Sequence, residues 1–222
     1  MHETARRMPS ACSTKGGPRM LHPKTRLAWI SDEVGYGVLA TEDIPCGTIL
    51  WALDPLDRVL SPADVKRLDP ALWPILETYT YVTGRGDRIL CWDHGRFMNH
   101  SCEPVSLSPG VDFELAVRDI RAGEEITCDY GSLNLEQDLS CLCGSPYCRK
   151  VIRASDFEEL AHSWDARLRD AVVRTLGVEQ PLLPFVKDAE HLARWAEHPD
   201  ELPSAMRHRY PIRDVIAAAP RR

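Results

Sequence analysis

Three cysteines in one eight-residue loop, Cys141-x-Cys143-x4-Cys148 in CLCGSPYC, constrain this chain more than any other feature. The loop has no apolar periodicity and is punctuated by Gly144 and Pro146, so its order has to come from a cross-link rather than from a core. Three thiols fall one short of the four soft ligands that a structural zinc ion takes. The fourth that presents itself is Cys102, 39 residues upstream, inside RFMNHSCEP (Arg96 to Pro104). That stretch crowds Asn99, His100, Ser101 and Cys102 into positions suited to neither helix nor strand, and its donors, acceptors and thiol need partners from elsewhere in the chain. On spacing alone, unrelated thiols remain an open alternative.

Composition narrows the classes. The chain has 222 residues, 44% hydrophobic and 27% charged, which suits a globular protein with one well-buried domain and an extension. A net charge of −6 argues against a general nucleic-acid binder and is compatible with a basic protein partner. There is no apolar run of about 18 residues, so no membrane span is expected. The N-terminal stretch lacks the apolar region of a secretory signal and is expected to be a loose leader over 1–22, with Met20 as an alternative start. A cytoplasmic setting follows, in which the eight cysteines are reduced thiols or metal ligands. Cys12, Cys46, Cys91 and Cys128 are read as buried free thiols.

Residues 27–54 read as short strands between Gly and Pro punctuation, and 61–78 as short helices with Ser61 as N-cap and Pro62 at the first position. YTYVTG and RILCWD flank a turn and read as a hairpin, with Tyr79 and Tyr81 on one side of a strand. In VDFELAVRDI, Phe113, Leu115 and Val117 alternate with Asp112, Glu114 and Arg118, predicting a half-buried strand with the charged side outward. RAGEEITCDYG gives a turn and a further strand. Beyond Ser155 the pattern changes: Phe157, Leu160, Ala161, Trp164, Leu168, Ala171 and Val172 predict an amphipathic helix over 155–176, and a second is expected near 188–197. PLLPF, HPDELP and the APRR end read as irregular.

GYG (35–37), RFMNHSCEP (96–104), GEEITCDYG (123–131) and CLCGSPYCRK (141–150), in that order, resemble the SET-domain protein-lysine methyltransferases with a post-SET zinc loop. The resemblance implies a mainly β fold with short helices: small curved sheets, a threaded, knot-like C-terminal segment, and here a helical C-terminal extension. It implies a SET domain over 27–131, a post-SET loop over 132–152 and an extension over 153–222. It further implies S-adenosylmethionine held by Gly35, Tyr36, Gly37, Arg96, Phe97, Asn99, His100 and Tyr130, with Leu142 over the adenine. Tyr130 becomes the catalytic tyrosine, Tyr79, Tyr81 and Cys128 the substrate channel, and Cys102, Cys141, Cys143 and Cys148 the zinc ligands. Val105 stands where the family has Asn, which predicts a looser loop after the site. The region before the first strand lacks a cysteine-rich pre-SET segment.

Such enzymes move a methyl group from S-adenosylmethionine to a lysine ε-amine, which attacks only when neutral. At pH 7 about one lysine in 2,500 is neutral, a cost of about 4.6 kcal/mol. A narrow apolar channel that strips water from the ammonium reduces that cost, and in-line orientation supplies much of the remainder. Cys128 is small and lacks the hydroxyl that restricts further methylation in relatives with tyrosine there, so di- or trimethylation is expected. The substrate is a protein presenting a lysine, histone or another basic protein, with neither direct nucleic-acid nor membrane contact. The alternative is a catalytically silent module that binds a lysine-bearing tail or scaffolds a partner.

Overall fold

A computed structural model describes residues 20–110, 112–187 and 189–210. The expected leader over 1–19, Cys12 and the APRR end lie outside the described residues. Met20, Leu21 and His22 do not belong to a loose leader: all three are buried, His22 N donates to Leu50 O, and Ala52 N donates to Met20 O.

The β region consists of small sheets. Strands β1 (Thr25–Ser31) and β2 (Gly35–Ala40) form an antiparallel hairpin. β3 (Ile49–Ala52) pairs with β9 (Phe113–Ala116), which also pairs with β8 (Ser106–Leu107). β4 (Arg58–Leu60) joins the expected hairpin of β5 (Thr80–Val82) and β6 (Arg88–Leu90), in the order β4-β6-β5. Between them lie α1 (Pro62–Arg67) and α2 (Trp73–Tyr79). Ser61 caps α1 as expected, with Asp64 closing a reciprocal capping box, two orphan backbone donors being satisfied at once.

The threading comes from two very short strands. β7 (Asn99–His100) runs parallel to β10 (Thr127–Cys128), pairing Thr127 with Asn99 and Cys128 with His100. The NH pair thus sits in a strand after all. Parallel strands have no tight turn to join them, so the chain between has to travel round and return. After β10 come β11 (Leu139–Ser140) and β12 (Val151–Ile152), which close the cysteine loop as an antiparallel pair. Val105 is 1% exposed, donates to Thr127 O and accepts from Val117 N. The loop after the site is therefore not loosened: an apolar side chain anchors it in the core.

α3 (Asp156–Val172) is the expected amphipathic helix, ending before 176, and α4 (Ala189–Glu197) is the second. Ser155 makes no side-chain cap; the first turn carries Asp156, whose carboxylate accepts from Arg153 N. Two cores result. One holds Val38, Ile44, Leu50, Ile89 and Ile126 between the sheets. The other seats Phe157, Trp164 and Leu168 of α3 and Trp195 of α4 against Ile49, Phe113 and Leu115. The extension is therefore packed on the back of the β3-β9-β8 sheet as an integral layer.

Candidate active site and thiol cluster

The parallel pairing of β7 with β10 brings RFMNHSCEP against EEITCDYG. Tyr130, at the end of β10, donates its hydroxyl to Met98 O at 3.0 Å. Its amide donates to His100 Nδ1 at 3.1 Å. Burial first, then the nearby Cys128 and Glu125, push the phenol well above its ordinary range, so it stays protonated.

The His100 ring lies between Tyr130 and the cysteines. Its Nε2 lies 3.3 Å from Cys102 Sγ. Its Nδ1 accepts the Tyr130 amide and lies 3.6 Å from Asp129 Oδ1. Burial holds the imidazole neutral, lowering its pKa to about 4 against the raising effect of Asp129.

Cys102 Sγ lies 3.7 Å from Cys141 Sγ. Ligand atoms of His100, Cys102, Cys141 and Cys143 all fall within 4.8 Å of one another. Cys148 adjoins them, its Sγ 3.8 Å from Cys141 O, and accepts the Lys150 amide at 3.4 Å. The Arg149 amide donates to Cys102 Sγ at 3.3 Å. Burial works against the Cys143 thiolate, yet the Cys102 and Ser145 backbone and neighbouring thiols bring its pKa to about 7. A set of soft sulfur donors with amides directed at them fits zinc by its chemistry. Cys46, Cys91 and Cys128 are buried and free, as read from the sequence.

Asp129 is a site residue that the motifs did not single out. Its carboxylate takes two bonds from Arg149, at 2.6 and 2.9 Å, and one from Trp164 Nε1 at 3.2 Å. It also accepts the Gly131 amide at 3.0 Å. The cysteine loop, the helical extension and the turn carrying Tyr130 thus meet at one side chain. The sequence signal was Arg149, directly after the last loop cysteine.

On the other side, Asn99 Nδ2 donates to Tyr36 O at 3.0 Å and to Glu125 Oε1 at 2.7 Å, so the GYG segment is fixed to β7. A Cβ on Gly37 would press on the side chains of Glu125, Ile30 and Asn99, so this glycine lets the three pack closely. Gly35, at φ +83°, instead faces open space. Trp29, Tyr36, Phe97 and Tyr79 form a half-exposed row of edge-on rings at 5.1, 5.9 and 5.6 Å. Arg96 lies over Phe97, and Leu142 is 68% exposed on the cysteine loop.

A cavity of about 310 Å³ opens beside this row and is lined by Tyr79, Tyr81, Arg96, Cys128 and Tyr130. Tyr79 and Tyr81 do not share a strand face. Tyr79 ends α2 and packs on Phe97, whereas Tyr81 is in β5 and packs edge-on against Trp51 at 6.1 Å. The remaining expected cofactor residues, Gly35, Tyr36, Gly37, Phe97, Asn99, His100 and Leu142, lie outside the cavity wall.

The site is a threaded β domain with a tyrosine just beyond a pair of short parallel strands, joined to a thiol cluster. The SET domain profile matches residues 35–131. Over these residues the chain is similar to the SET domain, and the small antiparallel sheets with short helices are those of the SET-domain fold. Histone-lysine N-methyltransferase ASHH3 of Arabidopsis thaliana is 28% identical over 137 residues, 55% of this chain and 36% of that protein. Histone-lysine N-methyltransferase EHMT1 of Homo sapiens is 30% identical over 140 residues, 53% of this chain and 10% of that protein. A third relative, named "Probable inactive histone-lysine N-methyltransferase SUVR1" in Arabidopsis thaliana, is 26% identical over 173 residues, 65% of this chain and 23% of that protein. Arabidopsis thaliana SUVH6, solved in complex with SAM, aligns with a TM-score of 0.45 at 20% identity, over 58% of this chain and 32% of that one. The chain spans less than half the length of these curated relatives. Among the described residues no helix is long and apolar enough to cross a membrane.

Proposed function

We propose that the chain is an S-adenosylmethionine-dependent protein-lysine N-methyltransferase acting on a histone or another basic protein. The observation that carries this is the position of Tyr130. Its hydroxyl is protonated and fixed on Met98 O at the wall of a cavity that Tyr81 and Cys128 also line. Relatives named as histone-lysine N-methyltransferases support the substrate class.

S-adenosylmethionine would supply an electrophilic methyl group on a sulfonium. The open backbone at Gly35 and the exposed Tyr36 ring leave room for such a group, and Gly37, Arg96, Phe97, Asn99, His100 and Leu142 would complete its binding. Tyr79, Tyr81 and Cys128 exclude bulk water from the lysine side chain. Tyr130 and the Met98 carbonyl orient the neutral amine, which supplies the proximity effect such a transfer needs. Zinc would be held by Cys102, Cys141, Cys143 and Cys148, with His100 Nε2 beside Cys102 Sγ.

The test is to incubate the protein with methyl-labelled cofactor and a cell lysate, with Tyr130→Phe as control. Label on a protein in the first reaction and none in the second supports the proposal. Cofactor binding without any label in either supports the silent lysine-binding module.

A further inference from the structure

Phe113 and Leu115 of β9 face the C-terminal helices, so Glu114 between them points to the opposite side. That side is not bulk solvent. Glu114 lines the same cavity as Tyr81, Cys128 and Tyr130. Ser106 Oγ hydrogen-bonds one carboxyl oxygen, and among the described residues no cation pairs with Glu114. Burial raises its pKa, and the Ser106 bond only partly offsets this. Trp51, its partner across the ladder, is 7% exposed and lines the cavity as well. Trp51 Nε1 has no hydrogen-bond partner among the described residues.

A carboxyl in a low-dielectric wall is costly to ionise without an opposite charge. A primary ammonium supplies that charge: an N–H donates to Glu114. The Trp51 and Tyr81 rings add attraction for a cation.

We propose that Glu114 is the recognition residue for the amine of the substrate, drawing an alkylammonium into the cavity; that this amine is a protein lysine rests on the function proposed above. Once the pair forms, one ammonium N–H bond breaks as a carboxyl O–H bond forms. The products are a neutral amine and a neutral carboxylic acid, and charge is conserved. The amine is then in the form that attacks a methyl group.

The test is an NMR titration with Nα-acetyl-lysine amide, with Nα-acetyl-norleucine amide as the isosteric probe lacking charge. The wild-type protein is expected to prefer the lysine probe, and Glu114→Gln to bind it at least about tenfold more weakly. Cofactor affinity unchanged in Glu114→Gln shows that the variant is folded. Equal binding of the two probes by the wild type, or equal binding of the lysine probe by both proteins, overturns the proposal. The first comparison needs no variant, so a misfolded Glu114→Gln leaves the test intact. Methyl transfer is not read: a chain that binds lysine through Glu114 but transfers no methyl overturns the enzymatic function alone.

Discussion

Arg149 grips Asp129 with two parallel hydrogen bonds, 2.6 and 2.9 Å, and so ties the cysteine loop to the residue beside Tyr130. Arg149 also lies 3.4 Å from Asp156 at the start of α3. Both carboxylates are buried. Removing the guanidinium leaves their charge uncompensated, so Arg149→Ala is expected to lose about 3 kcal/mol of stability. Urea denaturation measures this. A loss below about 1 kcal/mol, the range of an exposed pair, would show that the clamp is superficial.

Tyr130→Phe removes one oxygen and keeps the ring against His100, 5.5 Å between centroids. Methyl transfer is expected to fall by about 100-fold or more through lost orientation of the amine, with thermal stability nearly unchanged. Single-turnover kinetics beside a melting curve separates the two. Retained activity with unchanged melting removes Tyr130 from its role.

Cys128 is 5% exposed and lines the cavity two residues before Tyr130. Its thiol leaves room around the amine and offers only a weak donor. Mass spectrometry of a substrate after long incubation is expected to show di- or trimethyl-lysine. Monomethyl product alone, at any time, contradicts this.

His22 gives a pH dependence with a defined sign. Its Nδ1 accepts the Lys24 amide at 3.3 Å, which requires that nitrogen unprotonated. Burial first, then the Lys24 charge, lower its pKa from 6.5 to about 4. Between those values the unfolded chain binds a proton that the folded one does not. The contribution is therefore fully present above pH 6.5 and lost as pH falls toward 4, by about 2 kcal/mol after allowing for solvent. Urea midpoints at pH 7 and pH 5 should converge in His22→Gln relative to the wild type. Equal pH dependence in both proteins refutes it.

Much of the fold was legible because its signals are local. Ser61-x-x-Asp64 writes its own cap, and the apolar spacing from Phe157 to Leu168 writes α3. Cys102 and Cys141 were brought together by family resemblance, and their sulfurs lie 3.7 Å apart. What stayed hidden depends on the return path of the chain. β7 and β10 are two residues each, too short for any period, and only their parallel pairing makes Asn99–His100 a strand. Alternation along β9 correctly divided Phe113 and Leu115 from Glu114, but it cannot say whether the polar side meets bulk water or a cavity. His100 likewise has two nitrogens and one motif; its turn toward Cys102 is set by the Tyr130 amide, which no spacing encodes. Met20 to His22 looked like leader because composition ignores the Leu50 and Trp51 backbone waiting beside them.

The most direct measurement is calorimetric titration of S-adenosylmethionine into the zinc-loaded protein, repeated after a chelator has stripped the metal and its loss has been verified. The proposed cofactor pocket and the sulfur cluster both adjoin the segment 99–102, so stripping should abolish the binding heat while the packed helices keep most of the far-UV signal. Undiminished affinity in the stripped protein would contradict a shared wall, and no binding by the intact, folded protein would contradict the methyl-donor site itself.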